Sequence, residues 1–159
     1  MNPRPPYSLL RQHYPDPINV SAEELWRWVG HPGKNLDPAW KNTCAIRVSL
    51  ALLGAGVPLP RAFLPVLAGK YKGLTIEIKQ EVLAHRLTQA WGEPDRFATA
   101  LIRDAIRDRS GIIRFVQLWG PYDPQGHIDL IAPERMGRLM CEGGHVYWHA
   151  VECWFWELP

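Results

Sequence analysis

Cysteine is scarce in this chain. Cys44, Cys141 and Cys153 are the three thiols among 159 residues, too few for a disulfide scaffold and without the paired spacing of zinc ligands. An odd number also leaves at least one thiol free in a monomer, and Cys44 is the expected one. A charge excess is lacking too: 18 Lys and Arg against 16 Asp and Glu give a net charge of +2. With no Lys/Arg run to track phosphates, that balance argues against a nucleic-acid partner. No apolar run approaches the roughly 20 residues needed to cross a bilayer, so membrane insertion is not expected. Met1-Asn2-Pro3-Arg4-Pro5-Pro6 has no apolar segment of the kind a secretory signal carries, and the expectation is a product made in the cytoplasm. Internal repeats and low-complexity tracts are absent.

What is present suits a soluble globular protein: 47% hydrophobic and 21% charged residues in a length that supports one compact domain over residues 1–159. Fifteen prolines and thirteen glycines call for many turns and short elements. The first twenty residues are Pro-rich and are expected to wrap the surface. Ser21-Ala22-Glu23-Glu24 is a capping box, in which serine and glutamate each satisfy an orphan N–H. It opens a helix to about Val29 with Leu25, Trp28 and Val29 inward. Thr75 to Trp91 and Arg96 to Arg109 carry helical spacing, closed by Gly92 and Gly111. From Ile112 onward the residues are strand formers: Ile112 to Trp119, His127 to Ile131, and one or two strands in Val146 to Leu158. Helices first and strands after predict an α+β fold, N-terminal helices packed on a C-terminal antiparallel β-sheet.

Trp40-Lys-Asn-Thr-Cys44-Ala-Ile-Arg-Val-Ser-Leu50-Ala-Leu-Leu53 organises the rest. Asn42 or Thr43 can cap a helix in which Ile46, Leu50 and Leu53 share a face, and Gly54 is expected to stop it. A thiol in the first turn of such a helix lies at the positive end of its dipole, which favours the nucleophilic thiolate. The chain offers a base in Gly126-His127-Ile128-Asp129-Leu130, where alternation puts His127 and Asp129 on one face of a strand. His127 is the candidate acid and base for a Cys44 nucleophile. Such a base is normally oriented by a third polar group. Trp40, Trp119 and the terminal Trp154-Phe155-Trp156 are candidate walls for a cleft. No metal or organic cofactor is implied.

Three stretches together resemble the fourth family of type VI secretion amidase effectors, within the papain-like NlpC/P60 group. They are Gly33-Lys34-Asn35 followed by Asn42-Thr43-Cys44-Ala45-Ile46-Arg47, then Gly126-His127-Ile128-Asp129-Leu130, and last Trp154-Phe155-Trp156-Glu157-Leu158. The resemblance implies a cysteine amidase cutting the D-glutamate–meso-diaminopimelate bond of peptidoglycan stem peptides. It would be injected by the type VI machinery into a rival's periplasm, with a cognate immunity protein to protect kin. Residues matching the family's nucleophile and base are Cys44 and His127. A substrate rich in carboxylates makes Lys34 and Arg47 candidate cations, with Asn35, Asn42 and Trp40 as further candidates for substrate binding.

The third member departs from the family pattern, in which an aspartate sits in a short loop between two cysteines. Cys141-Glu142-Gly143-Gly144-His145 keeps one cysteine and has no aspartate, so the loop disulfide is not expected and a Cys141–Cys153 pair is the alternative. Glu142 is the first candidate to orient His127. Asp129 is the alternative, because two residues along a strand is about 7 Å, an awkward reach for a direct bond. Other readings left open are an NlpC/P60-type hydrolase of different bond preference and an inactive peptidoglycan-binding module.

Overall fold

The computed structural model describes residues 3–134 and 137–159. In chain order the elements are α1 (Tyr7–His13), α2 (Ala22–Trp28), α3 (Cys44–Gly54), β1 (Leu64–Pro65), β2 (Thr75–Ile76), α4 (Gln80–Trp91), β3 (Asp95–Ala98), α5 (Thr99–Ala105), β4 (Gly111–Val116), β5 (Gly126–Pro133), β6 (Leu139–Cys141) and β7 (Glu152–Glu157). Two short 3-10 turns, Lys34–Leu36 and Pro38–Trp40, lead into α3. The fold is α+β, with a five-stranded antiparallel sheet in the order β3-β7-β4-β5-β6.

The capping box closes as read: Ser21 Oγ accepts from the Glu24 N–H and the Glu24 carboxylate accepts from the Ser21 N–H. Leu25 and Val29 face inward as expected, but the tryptophan that joins them is Trp26, completely buried, while Trp28 is 54% exposed. The N-terminal segment is not a surface wrap, since α1 buries Tyr7 and Leu10 and Tyr14 follows them into the core. The periodicity of Arg96 to Arg109 misled for a local reason. Asp95–Ala98 pair with Glu152–Phe155 as an edge strand, so only Thr99–Ala105 is helical. Likewise Thr75–Ile76 pair with Leu64–Pro65, and the fourth helix begins only at Gln80. Helix α3 runs through Gly54, and the left-handed residue past its end is Gly56 at φ 78°.

Helix α3 is buried from Cys44 to Leu53 and is the shared wall of two cores. Ala45, Val48, Ala51 and Leu52 pack with Ile128, Leu130 and Trp156 of the sheet, while Ile46, Leu50 and Leu53 pack with Trp26 and Ile76. The opposite sheet face carries Ile113, Phe115, Ile131 and Phe155 against Ile102 and Ile106. Strand β6 pairs with β5 only at Ile131 to Pro133. The first half of β5 is thus open along one edge, and there the mouth of α3 and the loop after β6 approach His127 and Asp129. All three thiols are free, so neither the loop bridge nor a Cys141–Cys153 bridge forms.

Gly111 opens the central strand where a methyl group would collide with the Trp156 carbonyl and the Phe155 ring. Gly111→Ala is expected to destabilise the protein by roughly 1–3 kcal/mol, the usual cost of overpacking a core. Urea unfolding measures it; an unchanged midpoint would contradict the packing described.

Candidate active site

The thiol of Cys44 is nearly buried at the start of α3, with 7% of the residue exposed. Its backbone N–H donates to Asn42 Oδ1 at 3.1 Å. Thr43 is the flanking residue but makes no cap; its hydroxyl instead accepts from Arg47 Nε at 3.1 Å.

Strand β5 brings His127 beside the thiol, and the two side chains line the same cleft. The other side of the ring is held by Asp129, with 3.2 Å between Nε2 and Oδ2. The backbone step of about 7 Å between alternate strand residues is bridged because both side chains lean along the strand toward one another. Phe115 stacks beneath the imidazole at 6.3 Å, and Tyr147 flanks it at 4.9 Å.

Asp129 is wholly removed from solvent. A carboxylate so placed stays ionised only if donors replace its hydration. It has them: the Leu130 N–H at 2.8 Å on Oδ1, the Gly143 N–H at 3.0 Å on Oδ2, and the His127 ring, with Tyr14 close by. Tyr14 in turn is kept protonated, its pKa raised by burial and then by the neighbouring carboxylate. Gly143 must be glycine for the loop to come this close, since a methyl group would strike Asp129 Oδ2.

Glu142, the first candidate for the third position, does not reach His127. Its carboxylate accepts from the Tyr7 hydroxyl at 2.8 Å and pairs with Arg11 at 3.0 Å. The side chain points to α1, so the loop presents its backbone, not its acid, to the site.

Burial works against a charged imidazole at His127, but the hydrogen bond to Asp129 and the nearby Cys44 outweigh it and lift its pKa to about 9. Burial pushes the thiols of Cys141 and Cys153 up, the latter to about 11.

The pair opens into a cleft of about 710 Å³ whose lining includes Cys44, His127, Lys41, Lys79, Trp119 and Tyr147. That is within the size range of small-molecule sites. Of the expected substrate contacts, Asn42 lines it. Arg47 touches its wall but is 5% exposed, its guanidinium spent on the Pro15 and Val20 carbonyls, so it anchors the N-terminal segment. Burial lowers its pKa. Lys34, Asn35 and Trp40 lie outside the cleft. Lys34 Nζ sits 4.4 Å from the Trp40 ring, Trp40 packs edge-on against Trp26, and Asn35 lines a separate hollow with Leu36 and Arg27. They brace the approach to α3. Tyr14, Gly143, Lys41, Lys79 and Tyr147 are site residues that the sequence reading passed over. Only Tyr147, in an aromatic run near the loop after β6, carried any local signal. Among the described residues no group of three or more His, Cys, Asp or Glu is placed to hold a metal ion, and no helix is long and apolar enough to cross a membrane.

A helix with a thiol at its mouth, packed on an antiparallel sheet that presents a histidine to it, is the papain-like architecture of the NlpC/P60 group. A family model described as type VI secretion system amidase effector protein 4 matches residues 40–156. The chain belongs to that family and is an amidase effector of type VI secretion. Solved structures agree on the fold. The effector Tae4 from Salmonella typhimurium, in complex with the immunity protein Tai4 from Enterobacter cloacae, superposes with a TM-score of 0.74 at 19% identity, covering 98% of this chain and 100% of that one. The effector Tae4 from Enterobacter cloacae alone gives 0.72 at 24% identity, covering 98% of each chain. No curated protein matches the sequence.

His127 holds its proton in the native protein to about pH 9, against 6.5 for an ordinary imidazole. Between those values the native state binds more protons than the unfolded chain. Stability from this group is therefore whole below about 6.5 and is lost as pH rises through about 9. Urea midpoints across that window are expected to fall more for the wild type than for His127→Ala; equal falls would contradict the shift.

Proposed function

We propose that the chain hydrolyses the D-glutamate–meso-diaminopimelate bond of peptidoglycan stem peptides through a Cys44 thioester. The observation that carries this reading is the chain of contacts Cys44–His127–Asp129 opening into a cleft with cationic walls. Asp129 accepts from His127 Nε2–H, fixing the tautomer and leaving the other ring nitrogen to serve the thiol. The ring takes the thiol proton, and its raised pKa keeps the resulting imidazolium charged beside the thiolate.

Cys44 Sγ attacks the amide carbonyl carbon. The developing oxyanion takes the place of Asn42 Oδ1 against the Cys44 N–H, at the positive end of α3. The imidazolium gives its proton to the departing diaminopimelate nitrogen, the C–N bond breaks, and a thioester remains. His127 then removes a proton from water as it attacks the thioester, and the thiol is regenerated. Lys41 and Lys79, exposed on the cleft wall, replace Lys34 and Arg47 as partners for the stem-peptide carboxylates.

In this reading the enzyme acts in the periplasm of a rival Gram-negative cell after type VI delivery. The solved Tae4–Tai4 complexes support an immunity protein as its cognate partner.

Purified muropeptides digested with the protein and analysed by mass are expected to split between D-glutamate and diaminopimelate. Cys44→Ala is expected to lower the rate at least 10³-fold, the scale of losing a covalent nucleophile. Cleavage at another bond would overturn the specificity, and full activity of Cys44→Ala would overturn the mechanism.

A further inference from the structure

The loop between β4 and β5 carries the most exposed aromatic rings beside the cleft: Trp119 is 66% exposed and Tyr122 entirely so. Trp119 is not a floppy tip. Its N–H donates to Asp123 Oδ2 at 3.0 Å, and Asp123 Oδ1 accepts from the Gln125 N–H at 3.1 Å. The Leu118 N–H donates to the Gln125 carbonyl at 3.1 Å, and the Gln117 side chain ties to the Pro121 carbonyl. Gln117 itself adopts φ 55°, a strained conformation for a residue with a side chain. His149 lies against one face of the indole, with 4.7 Å between ring centroids and 31° between planes. The ring is braced by His149, and Trp119 and Cys44 line one cleft together.

A rigid, half-covered indole with no cation to match it suits a flat neutral ligand that offers C–H bonds on one side and hydroxyls around its edge. A pyranose ring has that character. This step rests on the proposed reaction, because stem peptides hang from an amino sugar of the glycan strand. The scissile bond lies two residues and a short linker from that sugar, on the order of 10 Å. A peptide seated at Cys44 thus carries its sugar to the cleft's rim. We infer that Trp119, backed by His149, is a sugar-stacking platform that makes glycan-linked stem peptides the preferred substrate over free peptides. The ordering cost is met in advance by the Asp123 ties, so the contact adds to transition-state binding without a loop having to fold.

The test compares kcat/KM for one stem peptide, free and joined to its disaccharide, in wild type, Trp119→Ala and Trp119→Phe. Wild type is expected to favour the disaccharide substrate by about tenfold, the worth of one good stacking contact. In Trp119→Ala that ratio is expected to fall to near one, and Trp119→Phe is expected to restore most of it. A wild-type ratio near one, a ratio unchanged in Trp119→Ala, or an equal loss on both substrates would overturn the platform while leaving the reaction standing. A Trp119→Ala protein with the wild-type ratio but weakened binding to an immunity protein would overturn it in favour of a protein-docking role. Failure of wild type to cut either substrate would overturn the reaction itself, and the platform with it.

Discussion

A carboxylate with no access to water has to be met by donors, and Asp129 is met by three. They come from its own strand, from the loop after β6 and from the imidazole it orients. The segment after α1 closes over the same place, with Tyr14 beside the carboxylate. Tyr14 is carried in by α1, whose Tyr7 and Leu10 are core residues, and the segment beyond it is pinned by Arg47 of α3. Removing any one donor leaves an expensive charge partly uncompensated. The demands of that one side chain explain why residue 143 is a glycine.

The same constraint reassigns the loop after β6. Where the resemblance implies an acid in that loop, this chain has Glu142, and Glu142 is turned away to Tyr7 and Arg11. The loop contributes the Gly143 N–H instead, and the acid is supplied from the strand. Triads are defined by geometry and not by order along the chain, so the exchange leaves the chemistry available.

Much of this was legible beforehand, and the misses have physical causes. The capping box at Ser21, the thiol helix and the strand carrying His127 rest on local rules, and all three stand. The strand at Asp95–Ala98 was hidden because its pairing with β7 overrides a helical spacing that ends in a real helix. The backbone spacing that makes Asp129 the less obvious partner of His127 leaves out the reach of the two side chains. Charge, size and motif point to Lys34, Arg47 and Trp40, and tertiary contacts occupy them elsewhere. Arg47 is spent on carbonyls, and Lys34 with Trp40 braces the turn before α3. Tyr14 had no signal at all, because what selects it lies more than a hundred residues away.

The account depends on Asp129, and not Glu142, setting the state of His127, which imidazole titration by NMR reads directly. The wild-type ring is expected to titrate near 9, Glu142→Gln to leave that value in place, and Asp129→Asn to pull it down toward the ordinary 6.5. A value that falls in Glu142→Gln and holds in Asp129→Asn would contradict the account.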